Sequence, residues 1–524
     1  MHTPPSVSLV RWVGLLGFLL SPAKAGSATL AGPPNILFIM VDEMRWNVMG
    51  CAGNTLVSTP HLDRLAREGT RFATAYTVAA ICTPARYSSF TSRYAHVHGS
   101  TDNSTPPQPG QLLLPALLQH HGYETAISGK LHFLPSEPNY GFDYFWSFTT
   151  EGPGELPRWP EYMEAKHGKN SARRVVPGSR PFPDDPLGKD YARLPYPPED
   201  MQTSWITDRA IEYLGRRDPA KPYFLFVSYL DPHSPSQLSE PYYSMYQQTD
   251  IPLPSTFRAG AVGAIAADAE SGEGRGRHDV SNPDIVRKLT SAYYAKVKLV
   301  DDNIGRLLAA VGLQGQLDST LVVFTADHGN MLGDKNKWFK GVMYEGSSRI
   351  PLLLKAPRNS GYARTFNQGR VVGEIVENID VMPTLLEIIG RSLPADPGFQ
   401  GKSMVRLVAG EDPAWKNIAY CERNTRMVRT GRYKLIQGRG RRNGAGNADF
   451  ELYDLIADPI ENRNLVGDPA HAVALRELKA KLAAWDADRP PLPRIVGVQT
   501  VWPTTAPGPE AKAAKKRPRP AKSQ

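Results

Sequence analysis

Asn35-Ile36-Leu37-Phe38-Ile39-Met40-Val41, followed at once by Asp42-Glu43, decides how the rest of the chain is read. An apolar run without polar alternation predicts a strand covered on both faces, as in largely parallel sheets with helices above and below. Tyr223–Tyr229 and Thr320–Ala326 have the same texture, and Pro351–Lys355 follows them. Segments of helical character lie between and beyond: Thr203–Leu214, Val286–Ala310 and Val381–Ile389. Thr59-Pro60 supplies an N-cap and a first-turn proline for a helix through Leu62, Leu65 and Ala66 that ends at Gly69. Another helix, Leu113–His121, stops at Gly122, and the short strand Glu124–Ser128 comes next. Strands alternating with helices predict a doubly wound α/β domain with a mixed or parallel sheet. Chemistry in such sheets gathers at the carboxyl ends of the strands, and Asp42, His233 and Asp327 each follow a strand there.

Beyond residue 410 the texture changes. Short strand-like runs (Ile418–Cys421, Met427–Thr430, Tyr433–Gln437, Glu451–Leu455) alternate with turns, and a helix near Val473–Trp485 closes the fold. The expected organisation is a signal peptide over 1–25, a catalytic α/β domain over 33–405, an α+β subdomain with an antiparallel sheet over 410–500, and a disordered basic tail over 503–524. Segments 151–200 and 255–283 are rich in Pro, Gly and charge and read as surface excursions that shape a pocket. Arg11 ahead of Trp12–Leu20, then Ala23-Lys24-Ala25, reads as a secretory signal with its cleavage site. Export is therefore expected, to a periplasm, the cell exterior or a lysosome-like compartment. No apolar run is long enough to span a bilayer as a helix.

The formal charge of +9 is concentrated at the ends: Arg11 and Lys24 lie in the first thirty residues, and the tail from Pro503 carries six Lys and Arg against Glu510. The body keeps only a small positive excess, so no nucleic-acid surface is expected. Three cysteines, Cys51, Cys82 and Cys421, are too few for a disulfide scaffold. Cys51 and Cys421 are left open as a pair or as two buried thiols.

Two adjacent carboxylates at Asp42-Glu43, in a mostly apolar neighbourhood, repel each other, and a bound cation relieves that repulsion. Asp327-His328-Gly329 repeats the arrangement at the end of a second strand. Cys82-Thr83-Pro84-Ala85-Arg86 has the pattern C-x-P-x-R, which resembles the site at which type I sulfatases have cysteine oxidised to formylglycine. The hydrated aldehyde is a geminal diol. One hydroxyl attacks sulfur, and the other later expels the sulfate.

The resemblance extends along most of the chain, to the sulfatase branch of the alkaline phosphatase superfamily. Asn35–Arg45 looks like that family's opening strand, Thr59–Ala75 its next helix and strand, and Gly129-Lys130-Leu131-His132 its G-K-x-H motif. Asp327–Gly341 resembles the D-H-G…W-x-K-G block, and Glu451–Leu465 the closing signature. The resemblance implies metal binding by Asp42, Glu43, residue 82, Asp327 and His328. The ion implied is divalent: calcium first, with magnesium or manganese as alternatives, as suits an oxygen-rich site with one nitrogen. It implies that Arg86 steadies the nucleophilic hydroxyl, that Lys130 sits between it and the sulfate, and that His132 takes the second hydroxyl's proton. His233 and Lys340 would contact the sulfate and its leaving oxygen, and Asn103 would be a further substrate contact.

Two departures stand out: Glu43, where relatives usually have Asp or Gln, and Asp334-Lys335-Asn336-Lys337, where a histidine is frequent. The expected function is hydrolysis of a sulfate monoester on a small molecule or glycan, with a formylglycine-generating or sulfatase-maturing enzyme as a partner. The alternatives are a phosphonate monoester or phosphodiester hydrolase of the same fold, and a non-catalytic glycan-binding relative. Oligomeric state is not set by the sequence.

Overall fold

The computed structural model describes residues 32–135, 140–147, 158–177, 191–261, 265–267, 277–391, 398–438 and 449–492. The expected signal peptide and basic tail lie outside these residues, as do parts of the two long excursions. Within the excursions the structure has a helix, Trp159–His167, and a strand, Tyr191–Arg193, that pairs with Ser236–Leu238.

The large sheet is built from β1 (Asn35–Asp42), β2 (Thr70–Tyr76), β3 (Glu124–Gly129), β4 (Tyr144–Ser147), β5 (Tyr223–Pro232), β6 (Thr320–Ala326), β7 (Arg349–Ile350), β8 (Leu352–Lys355) and β9 (Arg370–Glu377). Its order is β7-β2-β8-β6-β1-β5-β3-β4, with β9 on β2. β1 is central and parallel to both β6 and β5, so its apolar run is buried from both faces, as its composition requires. Only the short β7 and β8 run against the rest. β4 and β9 were not among the expected strands.

Register does the positioning. Val41 pairs with Ala326 on one side and Tyr229 on the other, and Ser228 pairs with Gly129. Asp42, Asp327, Lys130 and the Asp231-Pro232-His233 turn therefore emerge together at one edge. Gly129 has φ +110, and a Cβ there would lie 2.0 Å from the Ser228 carbonyl oxygen. A side chain at this position would push Lys130 out of line.

Helices α1 (Pro60–Glu68), α2 (Cys82–Thr91), α3 (Gln202–Arg216), α4 (Pro283–Leu313) and α5 (Val381–Ile388) cover the sheet. The capping of α1 differs from expectation. Thr59 stands at the N-cap position but makes no cap hydrogen bond; its hydroxyl accepts from Gly50 N and donates to Asp63. The free amides of His61 and Leu62 go instead to the buried carboxylate of Asp301 on α4. Asp301, His61 and Asp302 stand close enough to hold an ion, yet Asp301 serves these amides and Asp302 takes Lys298 and Tyr242.

Burial pushes the Asp301 carboxyl up to about 6, against the lowering effect of the two amides. A folded-state pKa above the unfolded one gives stability that is complete below the unfolded value and lost as pH rises towards 6. The unfolding free energy of the wild type relative to Asp301→Asn is expected to fall by about 2–3 kcal/mol between pH 4 and pH 7. Denaturation of both proteins across that range checks it, and a difference that stays flat would contradict it.

The second sheet, β10 (Ile418–Glu422), β11 (Arg426–Thr430), β12 (Tyr433–Gln437) and β13 (Phe450–Asp454), is an antiparallel meander. Helix α6 (Ala472–Ala487) lays Leu475, Leu478, Leu482 and Trp485 on it, in a cluster that also takes in Val78 and Tyr94 from the large domain. Buried Lys434 pairs with Glu345 and Glu461 at 2.9 Å each, joining the small sheet to the end of the large one. Among the described residues all three cysteines are free, and burial raises the thiols of Cys51, to about 12, and Cys421. No helix among them is long and apolar enough to cross a membrane.

Candidate active site

Cys82 is the first residue of α2, a helix whose ten residues are all buried. Its Sγ lies at the positive end of the helix dipole. Thr83 N, one of the amides that the helix leaves unbonded, donates to Asn103 Oδ1 at 2.9 Å. The Thr83 hydroxyl donates to the His132 carbonyl at 2.8 Å, which ties the 130–133 segment to the same helix end. His132 itself has φ 60, in the left-handed region.

Asp42, Cys82, Asp327 and His328 each offer a ligand atom within 4.8 Å of the others, and all four are buried. Cys82 Sγ is 3.1 Å from His328 Nε2 and 3.7 Å from Asp42 Oδ1. His328 Nδ1 sits 3.1 Å from the Gly329 carbonyl, so Nδ1 carries the proton and Nε2 presents a lone pair. That lone pair is 3.8 Å from Asp42 Oδ1 and 3.7 Å from Asp327 Oδ1. Three electron-rich atoms converging in a buried site call for a cation between them, so the donor set fits a divalent ion.

Arg86, one turn along α2, lies across both carboxylates: Nε donates to Asp327 at 2.9 Å and Nη2 to Asp42 at 3.2 Å. Its Nη1 reaches the Lys130 carbonyl and the Ser228 hydroxyl. Lys130 Nζ pairs with the oxygen of Asp42 that also takes Arg86. Burial alone raises the Asp42 carboxyl, but the cations beside it, Lys130 first and then Arg86, outweigh it and hold the group well below the usual carboxylate range. Burial lowers the Lys130 ammonium, and Asp42 and Cys82 more than reverse this, so it stays charged.

Glu43 is not part of that foursome. It has φ 66, and it groups with Asp42 and His233 instead. Its Oε1 accepts from Asn330 at 2.6 Å, and its Oε2 accepts from Lys340 Nζ at 3.0 Å. Lys340 Nζ is also 2.7 Å from His233 Nε2, whose ring places Nδ1 2.8 Å from the Ser234 carbonyl. His233 is therefore the Nδ1–H tautomer and accepts from Lys340. The 334–337 block faces elsewhere: Asp334 pairs with Arg45, and Lys335 lies over Tyr344 and Tyr453.

The residues that the sequence assigns to the metal, to catalysis and to the substrate thus stand at one edge of the sheet. Asn330 and Ser228 were not singled out. Asn330 follows Asp327 by three residues, which is a usable signal; Ser228 is hidden inside the apolar strand Tyr223–Tyr229.

This edge gathers two carboxylates, a histidine, a buried cysteine and two lysines in a fold of the alkaline-phosphatase-like class. The sulfatase family model matches residues 34–391, and that of the N-sulphoglucosamine sulphohydrolase C-terminal region matches 333–488. An arylsulfatase of Clostridium perfringens is 30% identical over 458 residues, spanning 83% of this chain and 90% of its own. An N-acetylglucosamine-6-O-sulfatase of Bacteroides thetaiotaomicron is 29% identical, covering 88% of each chain. Among solved structures, the phosphonate monoester hydrolase of Agrobacterium radiobacter superposes with a TM-score of 0.71 at 24% identity, over 87% of this chain and 96% of that one. The chain belongs to the sulfatase family, whose members hydrolyse sulfate esters.

Proposed function

We propose that the chain hydrolyses, with water, a sulfate monoester R–O–SO₃⁻ to R–OH and inorganic sulfate, using residue 82 in its formylglycine form. The observation that carries this is the convergence of Asp42, Asp327, His328 and residue 82 within 4.8 Å beside Lys130. Asp42, Asp327, His328 and a hydroxyl of residue 82 would hold the ion, calcium first and magnesium or manganese as alternatives, with Glu43 at its margin. When bound, the ion supplies Lewis acidity that favours the ionised diol hydroxyl.

The chain's own groups account for the remaining work. Arg86 fixes the two carboxylates. Lys130, Lys340 and the amino end of α2 offset charge on the sulfate oxygens. His233 accepts from Lys340, so Lys340 is the proton donor nearer to hand for the leaving oxygen, and its amine regains a proton from solvent before the next turnover. His132 removes the proton of the second hydroxyl, and sulfate leaves by C–O cleavage as the aldehyde reforms. Asn103 holds Thr83 through Oδ1, while its Nδ2 is buried with no hydrogen-bond partner among the described residues and is suited to donate to substrate.

The substrate class proposed is a sulfated small molecule or glycan, in keeping with the N-acetylglucosamine-6-O-sulfatase among the relatives. Conversion requires a formylglycine-generating or sulfatase-maturing partner, and the protein works after export. A phosphorus-directed reading has in its favour the fold shared with phosphonate monoester hydrolases and a relative described as a multifunctional alkaline phosphatase superfamily protein. Para-nitrophenyl sulfate and a phenylphosphonate monoester separate the two. The kcat/KM for the sulfate is expected to be higher by about 100-fold or more, and the reverse preference would overturn the sulfate reading.

A further inference from the structure

Arg423 lies in the turn between β10 and β11, and two contacts bring this turn to the catalytic edge. Glu422 N donates to the Val78 carbonyl at 3.0 Å, on the loop that runs into Cys82. The Glu422 carboxylate takes both the amide and Nδ1 of His96, at 2.8 and 2.7 Å. The turn is therefore anchored to the nucleophile's own loop and to the short helix that follows α2.

From that anchor the Arg423 side chain reaches the residue after Lys340. A Cβ at Gly341 would lie 1.8 Å from Arg423 Nη1 and 3.0 Å from its Cζ, and Gly341 has φ +88. The glycine leaves a space that the guanidinium fills. Most buried or half-buried arginines in this fold have an anionic or carbonyl partner: Arg86 has two carboxylates, Arg45 has Asp334, and Arg349 has Glu345 and the Ala73 carbonyl. Arg423 makes no ion pair among the described residues, and its Nε is buried without a hydrogen-bond partner. A partly desolvated guanidinium without an acceptor is unfavourable by itself, and an arriving anion relieves it.

We infer that Arg423 is a specificity-determining residue that binds a second anionic group on the substrate, a sulfate or a carboxylate, beside the sulfate that is cleaved. The inference rests on the sulfate-ester reading above and narrows it to polyanionic substrates such as a disulfated sugar or a sulfated uronic acid. The planar fork of the guanidinium suits either oxyanion in a two-point contact, which a lysine ammonium would meet only as a point charge. A cationic alcohol such as choline would meet Arg423 and Lys340 together and be repelled.

The test is calorimetric titration of the full-length chain with Cys82 left as a thiol, so that no turnover intervenes. The ligands are N-acetylglucosamine 6-sulfate, glucosamine 2-N,6-O-disulfate and a sulfated uronic acid. At least one of the two dianions is expected to bind the wild type about tenfold or more tighter than the monosulfate, and which one does identifies the second group. That advantage is expected to shrink to under about threefold in Arg423→Gln and to return in part in Arg423→Lys. Equal binding of all three by the wild type, no binding of any, or an advantage undiminished in Arg423→Gln would overturn the assignment. Turnover of para-nitrophenyl sulfate by the formylglycine form tests the sulfatase reading separately, so either can fail while the other stands.

Discussion

Cys82→Ser is expected to release one equivalent of alcohol and then stop. A serine hydroxyl at the start of α2 lies beside the same carboxylates and the same Lys130, so it can attack sulfur once. The sulfate ester that results has no second hydroxyl on that carbon, so His132 has no proton to remove and the C–O bond has no carbonyl to collapse into. Steady-state kcat should fall by about four orders of magnitude or more, since the covalent step is kept while its reversal is lost. Rapid mixing should show a stoichiometric burst, and intact-mass measurement should find the protein heavier by one SO₃ group at residue 82. Sustained turnover by Cys82→Ser would mean that the diol is not the nucleophile.

Asp327→Asn should lose bound cation and activity together. Asp327 Oδ1 faces His328 Nε2 and accepts the Glu43 amide, while Oδ2 takes Arg86. The amide is close to isosteric but brings no charge, so it leaves Arg86 with half its compensation and the cation with one carboxylate in place of two. A loss of about three orders of magnitude in kcat/KM is expected, with metal content after dialysis falling from near one equivalent to near zero. Full activity in the variant, or in wild type freed of metal by a strong chelator, would contradict a required ion.

Much of this edge was legible because physics marks it twice. A strand with no polar alternation must lie inside a sheet, and a carboxylate at its end then has nowhere dry to point without a counter-charge. Asp42 and Asp327 satisfy both conditions, and the register of β1 with β6 brings them side by side. The edge strands were less visible. β9 has Val371 about half exposed and Gly373 in mid-run, so its pattern is neither buried nor cleanly alternating. The engagement of Glu43 was hidden for a different reason. It depends on a left-handed φ at a glutamate and on Asn330 and Lys340, which are brought close only by folding. The same holds for Asp301 in place of Thr59 as the cap of α1: local pattern names the N-cap position, and tertiary contact decides which oxygen serves it.

The measurement that bears most directly on the whole account is the relation between conversion at residue 82 and turnover. Preparations made with graded amounts of a maturation enzyme can be scored by peptide mass spectrometry for formylglycine at position 82 and assayed on para-nitrophenyl sulfate with calcium present. kcat is expected to rise in proportion to formylglycine content and to vanish in the preparation that is entirely thiol. Undiminished turnover in the all-thiol preparation would contradict it.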